Sequence, residues 1–478
     1  MENNKTSPSF AQSALTFGLI VATIGIGLFI LKISLHSLML VCLVIATFSA
    51  WRLAGGDFTS IRNAMNDGIS RAFGAIYIFI LIGVLVAAFI QSGTVATLIY
   101  YGLEFISPAV FLPAGLILCA FMSVATGTSW GTVGTAGVVL IGMGGAMDIP
   151  LAIVAGVVVS GACFGDKMSP VSDTTNLAAM SSEVDLYKHI RSMTYTTGPT
   201  FLIVLVIYAV IGMQFADNAM SVDRVNAMIE ALDNTYAINL FCLLPFIVMI
   251  ALTAAKVSAE PAMVAAAATA VILAIFMQGA DPVAVMNALY SGGGKGSTGI
   301  EALDGLLGRG GISSMMWTLS LALMALALGG ILYGFGFLQS LISVVLIRIK
   351  SAFSLVTSTI VTCLVGNMTM GEAYMSIILG GQLFGTAYDE KGIDRSVMSR
   401  SLEEGATLTT VLIPWTTGGA FFAATLGVNV LDYAPWALLN WMNPIIAILF
   451  ALFGLFIFKA KPKKEETTTA KAVPASAG

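Results

Sequence analysis

Charge is what this 478-residue chain has least of. Asp, Glu, Lys and Arg together make up 10% of it, against about a quarter in soluble domains. That scarcity excludes an ordinary soluble protein. A net charge of -4 gives no footing for nucleic acid or an acidic macromolecular partner. The five cysteines (Cys42, Cys119, Cys163, Cys242, Cys363) all lie in apolar runs, with no Cys-x-x-Cys. This excludes a disulfide framework and an ordinary zinc site and leaves small core residues. The two histidines, His36 and His189, fall near expected surfaces and read as solvated loop residues, with His189 the one placed to tune a pH response. No small-residue cleavage site follows Lys5, so the first apolar run reads as a retained helix and not a removed leader. The run Ser291-Gly-Gly-Gly-Lys-Gly-Ser297 lacks Ser or Thr after Gly-Lys and has no strand before it, which excludes a phosphate loop. No cofactor is expected.

What the chain has in abundance is apolar length. Hydrophobic residues are 57% of it and mean hydropathy is +0.92. An all-α polytopic membrane protein is expected, because a backbone in lipid must pair its polar groups internally. Runs of spanning length, about 20 residues, lie near 14–32, 35–51, 73–91, 196–214, 237–254, 260–279, 314–332 and 434–458, with short segments near 93–106 and 334–347. Amphipathic or Gly-rich pieces lie at 57–71 (with Asp57, Arg62, Asp67 and Arg71) and 281–311, and a charged piece at 183–191 reads as surface. Four longer runs are interrupted: 109–146 at 126–132, 150–180 at 166–173, 352–382 at 366–372 and 396–427 at 414–419.

A polar connector at 215–236, with Asp217, Asp223, Arg224, Glu230 and Asp233, separates a first repeat (1–214) from a second (237–458), and 459–478 reads as a disordered cytoplasmic tail. Each half has the same order of spans and two breaks at similar spacing, and matched broken helices point to a secondary transporter and its site. Arg52, Arg62 and Arg71 put the first amphipathic piece inside, and Lys459, Lys461, Lys463 and Lys464 do the same for the C-terminus. Counting on from the connector through Lys256 puts 281–311 outside, opposite to 57–71. The repeats are therefore expected to be inverted, with broken or re-entrant helices meeting at a midplane site.

The first two breaks run from Thr126-Gly-Thr-Ser-Trp-Gly-Thr-Val-Gly-Thr-Ala-Gly137 to Gly165-Asp-Lys-Met-Ser-Pro-Val-Ser-Asp-Thr-Thr-Asn176. Glycine, proline and hydroxyl clusters survive at membrane depth only where they line an enclosed cavity, and an intramembrane carboxylate marks an ion or substrate path. Sodium, by analogy with other hard cations, takes oxygen ligands. Asp166, Ser169, Ser172, Asp173, Thr174, Thr175 and Asn176 offer them in one short unwound stretch. On a helix after Ser129, Thr128, Thr132 and Thr135 share one face and Gly127, Gly131 and Gly134 the next. The hydroxyls would face a cavity and the glycines a neighbour; the alternative is a packing strip with the threonines bonded to their own backbone. The alternatives for the aspartates are an Asp166–Lys167 salt bridge and an Asp173 helix N-cap. Asp173, three residues past Pro170 and with no adjacent lysine, ranks above Asp166. In the second half Asn367, Thr369, Thr416 and Thr417 are the candidate cation- or proton-binding oxygens, with Glu372 in the same break as the first two. Glu403 and Glu404, beside Arg400, read as solvated-loop or salt-bridge residues. The Na+ ligands expected are Asp173, Asn176, Ser129 and Asn367.

The runs from Gly127 to Thr135 and from Gly165 to Leu177 closely resemble the signature runs of the NhaC family of bacterial Na+/H+ antiporters, and the likeness extends along nearly the whole chain. The resemblance implies a multi-pass, secondary-active exchanger of the bacterial inner membrane, with the inverted-repeat architecture and a homodimer of scaffold and mobile transport domains. Its cargo would be cytoplasmic Na+, or Li+, exchanged for external H+ by alternating access, with the two ions competing for Asp173 together with Asp166. Some relatives are similar to exchangers of malate and lactate coupled to Na+ and H+, and the resemblance does not separate the two. An organic anion needs donors such as helix N-termini or a cation, and Lys167 is the only basic residue in the first-half breaks, which favours cations. A different class, an intramembrane aspartyl protease, is disfavoured: Cys163 stands where that family's Gly-x-Gly-Asp run has its first glycine, and both aspartates share one segment. A channel is disfavoured by the two-half organisation.

Overall fold

The computed structural model describes residues 7–215, 222–255, 257–294, 297–347 and 349–460. Asp217, Lys256, Lys295, the tail beyond Ala460 and the side chains of Asp223 and Arg224 lie outside the described residues. Among those residues every regular element is a helix, and the one β-bridge joins Ile393 to Lys459. Eight of these helices are long and apolar enough to cross a bilayer, and three bent pairs raise the possible crossings to 11. The protein is an all-α, polytopic membrane protein.

The first half opens with α1 (Phe10–Gly25), prolonged by a π turn (Ile26–Ile30), and α2 (Leu35–Leu53). The amphipathic piece forms α3 (Phe58–Ser70), capped by Asp57 through the Thr59 and Ser60 amides. The Ser60 hydroxyl and those amides hold the Asp57 carboxyl below its usual range. α4 (Phe73–Gln91) and α5 (Thr94–Phe105) form a bent pair with an angle of 67°. α6 (Pro108–Thr126) ends at Gly127, whose φ of 71° suits glycine alone. A short α7 (Ser129–Thr132) restarts at once and passes through a π turn (Val133–Gly137) into α8 (Val138–Ala146). α9 (Leu151–Met168), α10 (Asp173–Ser181) and α11 (Leu186–Met213) complete the half. The charged piece at 183–191 is not a separate surface element. From Leu186 it is the start of the 28-residue α11, because Asp185 caps that helix through the Lys188 amide.

α12 (Val222–Thr235) occupies most of the connector, followed by α13 (Leu244–Ala254) and α14 (Ala259–Phe276). α15 (Pro282–Ser291) and α16 (Glu301–Leu307) lie in the Gly-rich piece, and α17 (Ile312–Gly334) and α18 (Phe337–Leu346) come next. α19 (Ala352–Met370) ends at Gly371, with φ 70°, and α20 (Ala373–Glu390) restarts after the capping residue Glu372. This break is confined to Gly371 and Glu372. The last elements are α21 (Arg395–Gly405), α22 (Thr407–Thr410), α23 (Thr417–Leu426), α24 (Val430–Tyr433) and α25 (Leu438–Leu452).

The breaks of the two halves match in kind. Gly127 and Gly371 each close a helix in the left-handed region. Ser172 and Thr416 each cap a restarting helix, at the same sequence distance beyond the glycine in both halves. The buried apolar side chains fall into two clusters. One gathers α4 to α9 with α13, α14 and α23; the other gathers α1 to α3 with α17 to α21. Each cluster draws on both sides of the connector.

Candidate ion-binding site

Two helices in backbone contact place the first carboxylate. An added Cβ at Gly161 or Gly165 of α9 would strike the Leu116 or Ala120 carbonyl of α6. Ser123 donates to the Ala162 carbonyl and Ser169 to the Val124 carbonyl, both at 2.7 Å, so α6 and α9 stay locked up to their breaks. Asp166 therefore lies in the last turn of α9, inside the helix and not in the unwound stretch expected of it. It is 7% exposed. Ser129 donates to its Oδ2 and Ser172 to its Oδ1, both at 2.6 Å. Thr174 Oγ1 lies 3.1 Å from Ser172 Oγ, and Thr175 donates to the carbonyls of Asp166 and Lys167.

Desolvating a carboxylate costs several kcal/mol, and two short charge-assisted bonds from neutral hydroxyls offset only part of that. Each serine keeps oxygen lone pairs while it donates, so the trio also presents oxygens to a hard cation. Among the described residues no three His, Cys, Asp or Glu side chains gather as a metal group. A cation here would rest on one carboxylate and neutral oxygens.

Asp173 has a different setting. It is exposed and is the first residue of α10, whose cap is Ser172 and not Asp173. Asn176 ties the break down, donating to the Pro170 carbonyl at 3.0 Å and the Ser172 carbonyl at 2.8 Å. The alternative Asp166–Lys167 salt bridge does not form: no ion pair among the described residues involves either side chain. Thr128 caps α7 through the Gly131 amide, and Thr132 and Thr135 donate to the Thr128 and Gly131 carbonyls. Those hydroxyls turn to their own backbone, while Gly134 packs on Ile82 and Gly137 on Val158 and Leu426.

The second half builds a counterpart. Glu372, 4% exposed, accepts the Thr417 hydroxyl at 2.5 Å and the Tyr374 amide at 3.5 Å. The two breaks are stitched together by Thr417 N to the Gly371 carbonyl at 2.9 Å and Trp415 Nε1 to the Met368 carbonyl at 2.8 Å. Thr416 donates to the Thr410 and Ile413 carbonyls and Thr369 to the Val365 carbonyl. Asn367 is fully buried; its Nδ2 donates to the Ala406 carbonyl at 2.7 Å and to Thr409 Oγ1 at 2.9 Å, and its Oδ1 has no hydrogen-bond partner. Glu372 was not among the candidates. Its signal is positional: the residue after the left-handed glycine is Thr128 in one half and Glu372 in the other, and both cap the next helix. The halves meet where Trp130 stacks on Phe421, ring centroids 4.2 Å apart.

A third polar group surrounds α21. Arg400, Glu403 and Glu404 are fully buried, so of the two alternatives for the glutamates the solvated loop does not hold; Thr196 of α11 donates to Glu404 at 2.6 Å, and Lys167 of α9 is fully buried as well. His189 is likewise fully buried, 2.7 Å from Ser399 Oγ, since α11 carries it against α21. His36 is no free loop residue either; its Nε2 contacts the Trp317 carbonyl at 3.0 Å and Ser320 Oγ at 2.9 Å, both on α17.

The Na+/H+ antiporter family model matches residues 161–455, more than half of the chain. This chain belongs to the Na+/H+ antiporter family. The Na+/H+ antiporter NhaC of Alkalihalophilus pseudofirmus is 39% identical, with 93% of this chain and 96% of that protein covered. The malate-2H+/Na+-lactate antiporter of Bacillus subtilis is 38% identical, with 87% and 90% covered. The arginine/ornithine antiporter ArcD of Halobacterium salinarum is 31% identical, with 97% and 96% covered. All three are named as antiporters, not enzymes. The resemblance carried by the two polar breaks is borne out, and the matched region takes in Asp166, Ser172, Glu372 and Thr417.

Proposed function

We propose that this protein is a secondary-active antiporter that exchanges Na+, or Li+, for H+ by alternating access, with Ser129, Asp166 and Ser172 as the shared ion position. The observation that carries it is that trio: one sealed carboxylate held by two hydroxyls from two different breaks. A bare buried carboxylate is costly to move through a low-dielectric interior, and either Na+ or H+ cancels its charge. One carboxylate takes one or the other, so the two ions exclude each other and each drives the other. Exposed Asp173 raises the local cation concentration at the mouth. Asn176, Thr128, Thr132, Thr369 and Thr416 hold the breaks open through backbone bonds, and Asn367 pins α19 to the segment after α21. The matching breaks support two inverted repeats divided at the connector. The cytoplasmic membrane of a bacterium, cytoplasmic termini and a homodimer complete this reading.

A second reading, exchange of a small organic anion together with Na+ and H+, has one observation in its favour. Arg400 is fully buried over the Phe458 ring, and among the described residues its guanidinium nitrogens have no hydrogen-bond partner, a fork of the kind that takes a carboxylate. The test is the purified protein in proteoliposomes with an internal pH dye, pulsed with Na+, Li+, K+, malate or lactate. Proton movement on Na+ alone supports cation exchange. Movement that requires malate or lactate replaces it with the second reading, and no movement with any of them sinks both.

A further inference from the structure

A cavity of about 230 Å3 lies between α3 and α17, with Ser60, Asn63 and Asp67 on one side and Tyr333 on the other. Beyond it a space of about 10 Å3 reaches Glu372, room for about one water. Gly68, Arg71, Gly330 and Tyr333 line both spaces and so form the partition between them. The partition is built by close approach. A Cβ on Gly68 would strike the Leu326 carbonyl, a Cβ on Gly330 the Ala64 carbonyl, and a Cβ on Gly329 the backbone of Met370, the last residue before the α19–α20 break. Arg71 stands at the junction, its guanidinium 4.8 Å over the Tyr333 ring and its Nη1 3.2 Å from Met375 Sδ. Two neighbouring spaces that share their lining therefore lie between α3 and a buried carboxylate that the ion position at Asp166 does not use.

We propose that Glu372 is a second proton-carrying carboxylate, emptied to the α3 side through this cavity, with Arg71 as a cationic barrier that turns back metal cations. On that side the protonated Glu372 carboxyl gives its proton to a water in the inner space, which leaves as hydronium, while Thr417 keeps its bond to one carboxylate oxygen. The groups facing Glu372 are Arg71 from α3, Tyr333 from α17, the Tyr374 amide on α20 and the Thr417 hydroxyl on α23. An Arg head group at the junction repels Na+ through Coulomb interaction that the low-dielectric walls strengthen, while a proton on Glu372 need only pass to the water beside it. In the return step Asp166 carries one proton and Glu372 another, against one Na+ outward, so each cycle moves one net charge. This rests on the Na+/H+ reading above.

The test uses the full chain in proteoliposomes with the membrane potential clamped at zero by K+ and valinomycin. For wild type, flux should stop when the Na+ gradient equals the square of the proton gradient; for Glu372→Gln it should stop at the first power. In parallel, a carbodiimide, which modifies buried protonated carboxyls, should label the peptide containing Glu372. Na+ should fail to protect it in wild type and succeed in Arg71→Ala. A first-power balance in wild type, no label on Glu372, or Na+ protection of Glu372 in wild type each overturns the proposal. So does a square-law balance in Glu372→Gln. Should that variant fail to reach the membrane, the wild-type balance and labelling decide alone. Absence of any Na+-driven proton movement in wild type would instead sink the antiporter reading itself.

Discussion

Asp166 and Glu372 are built alike and furnished differently. Each is a sealed carboxylate beside a helix break, and each receives a hydroxyl from a restarting helix, Ser129 in one half and Thr417 in the other. Asp166 has a second serine on its other oxygen and an exposed acid, Asp173, on the neighbouring helix. Glu372 has a single hydroxyl and a guanidinium standing in its approach. The two carboxylates stand at different points of the repeated break, one inside the last turn of a helix and one capping the next helix, and they differ in the charge placed around them.

The largest effect that separates the two positions is expected from Asp166→Asn. It keeps size and hydrogen-bonding oxygen but removes the exchangeable charge, so Na+-driven collapse of a pH gradient in everted vesicles should fall to background at matched expression. Wild-type behaviour would move the shared ion position elsewhere. Next come Ser129→Ala and Ser172→Ala, each removing one hydrogen bond to a charged group, worth about 1.5–3 kcal/mol. Half-maximal Na+ should rise roughly tenfold or more in each; an unchanged value in both would strip the hydroxyls of any part in cation binding. Asp173→Asn should act more weakly, raising half-maximal Na+ a few-fold at low ionic strength and not at high salt, because an exposed charge is screened. Complete loss of exchange there would restore Asp173 to the centre of the site. The smallest readout is positional. Single cysteines at Asn63 and Ser297, in a background without native cysteines, should label from opposite sides, and same-side labelling would end the inverted relation between the halves.

The helices were largely legible in the sequence because lipid leaves a backbone few options and because glycine, proline and hydroxyl clusters mark where helices stop. The breaks at Gly127 and Gly371 show that plainly. The ranking of Asp173 over Asp166 rests on Pro170 and on Lys167 being the next residue to Asp166, and the sequence does not show where that lysine points. Neighbours on a helix point roughly 100° apart, and Lys167 serves the α21 group while Asp166 turns to Ser129. The burial of Arg400, Glu403 and Glu404 was hidden for the same kind of reason. Their compensating charge sits more than two hundred residues earlier in the chain, and a charged run with its partner unseen looks like a loop. Glu372 is visible in its break beside Asn367 and Thr369, but only the fold brings the Thr417 hydroxyl, 45 residues on, to its carboxylate.

The sealed charges of α21 also constrain how the protein is made. An Arg or Lys at the middle of a lone helix costs about 2.5–3.5 kcal/mol to insert into a bilayer, and this eleven-residue helix buries Arg400 with two glutamates. It cannot partition into lipid on its own account. Lys167 on α9 and Thr196 on α11 precede it in the chain, whereas α25 and Phe458, which also pack against it, follow. A chain begun after the connector is therefore expected to leave the buried charges of 395–405 without their first-half partners.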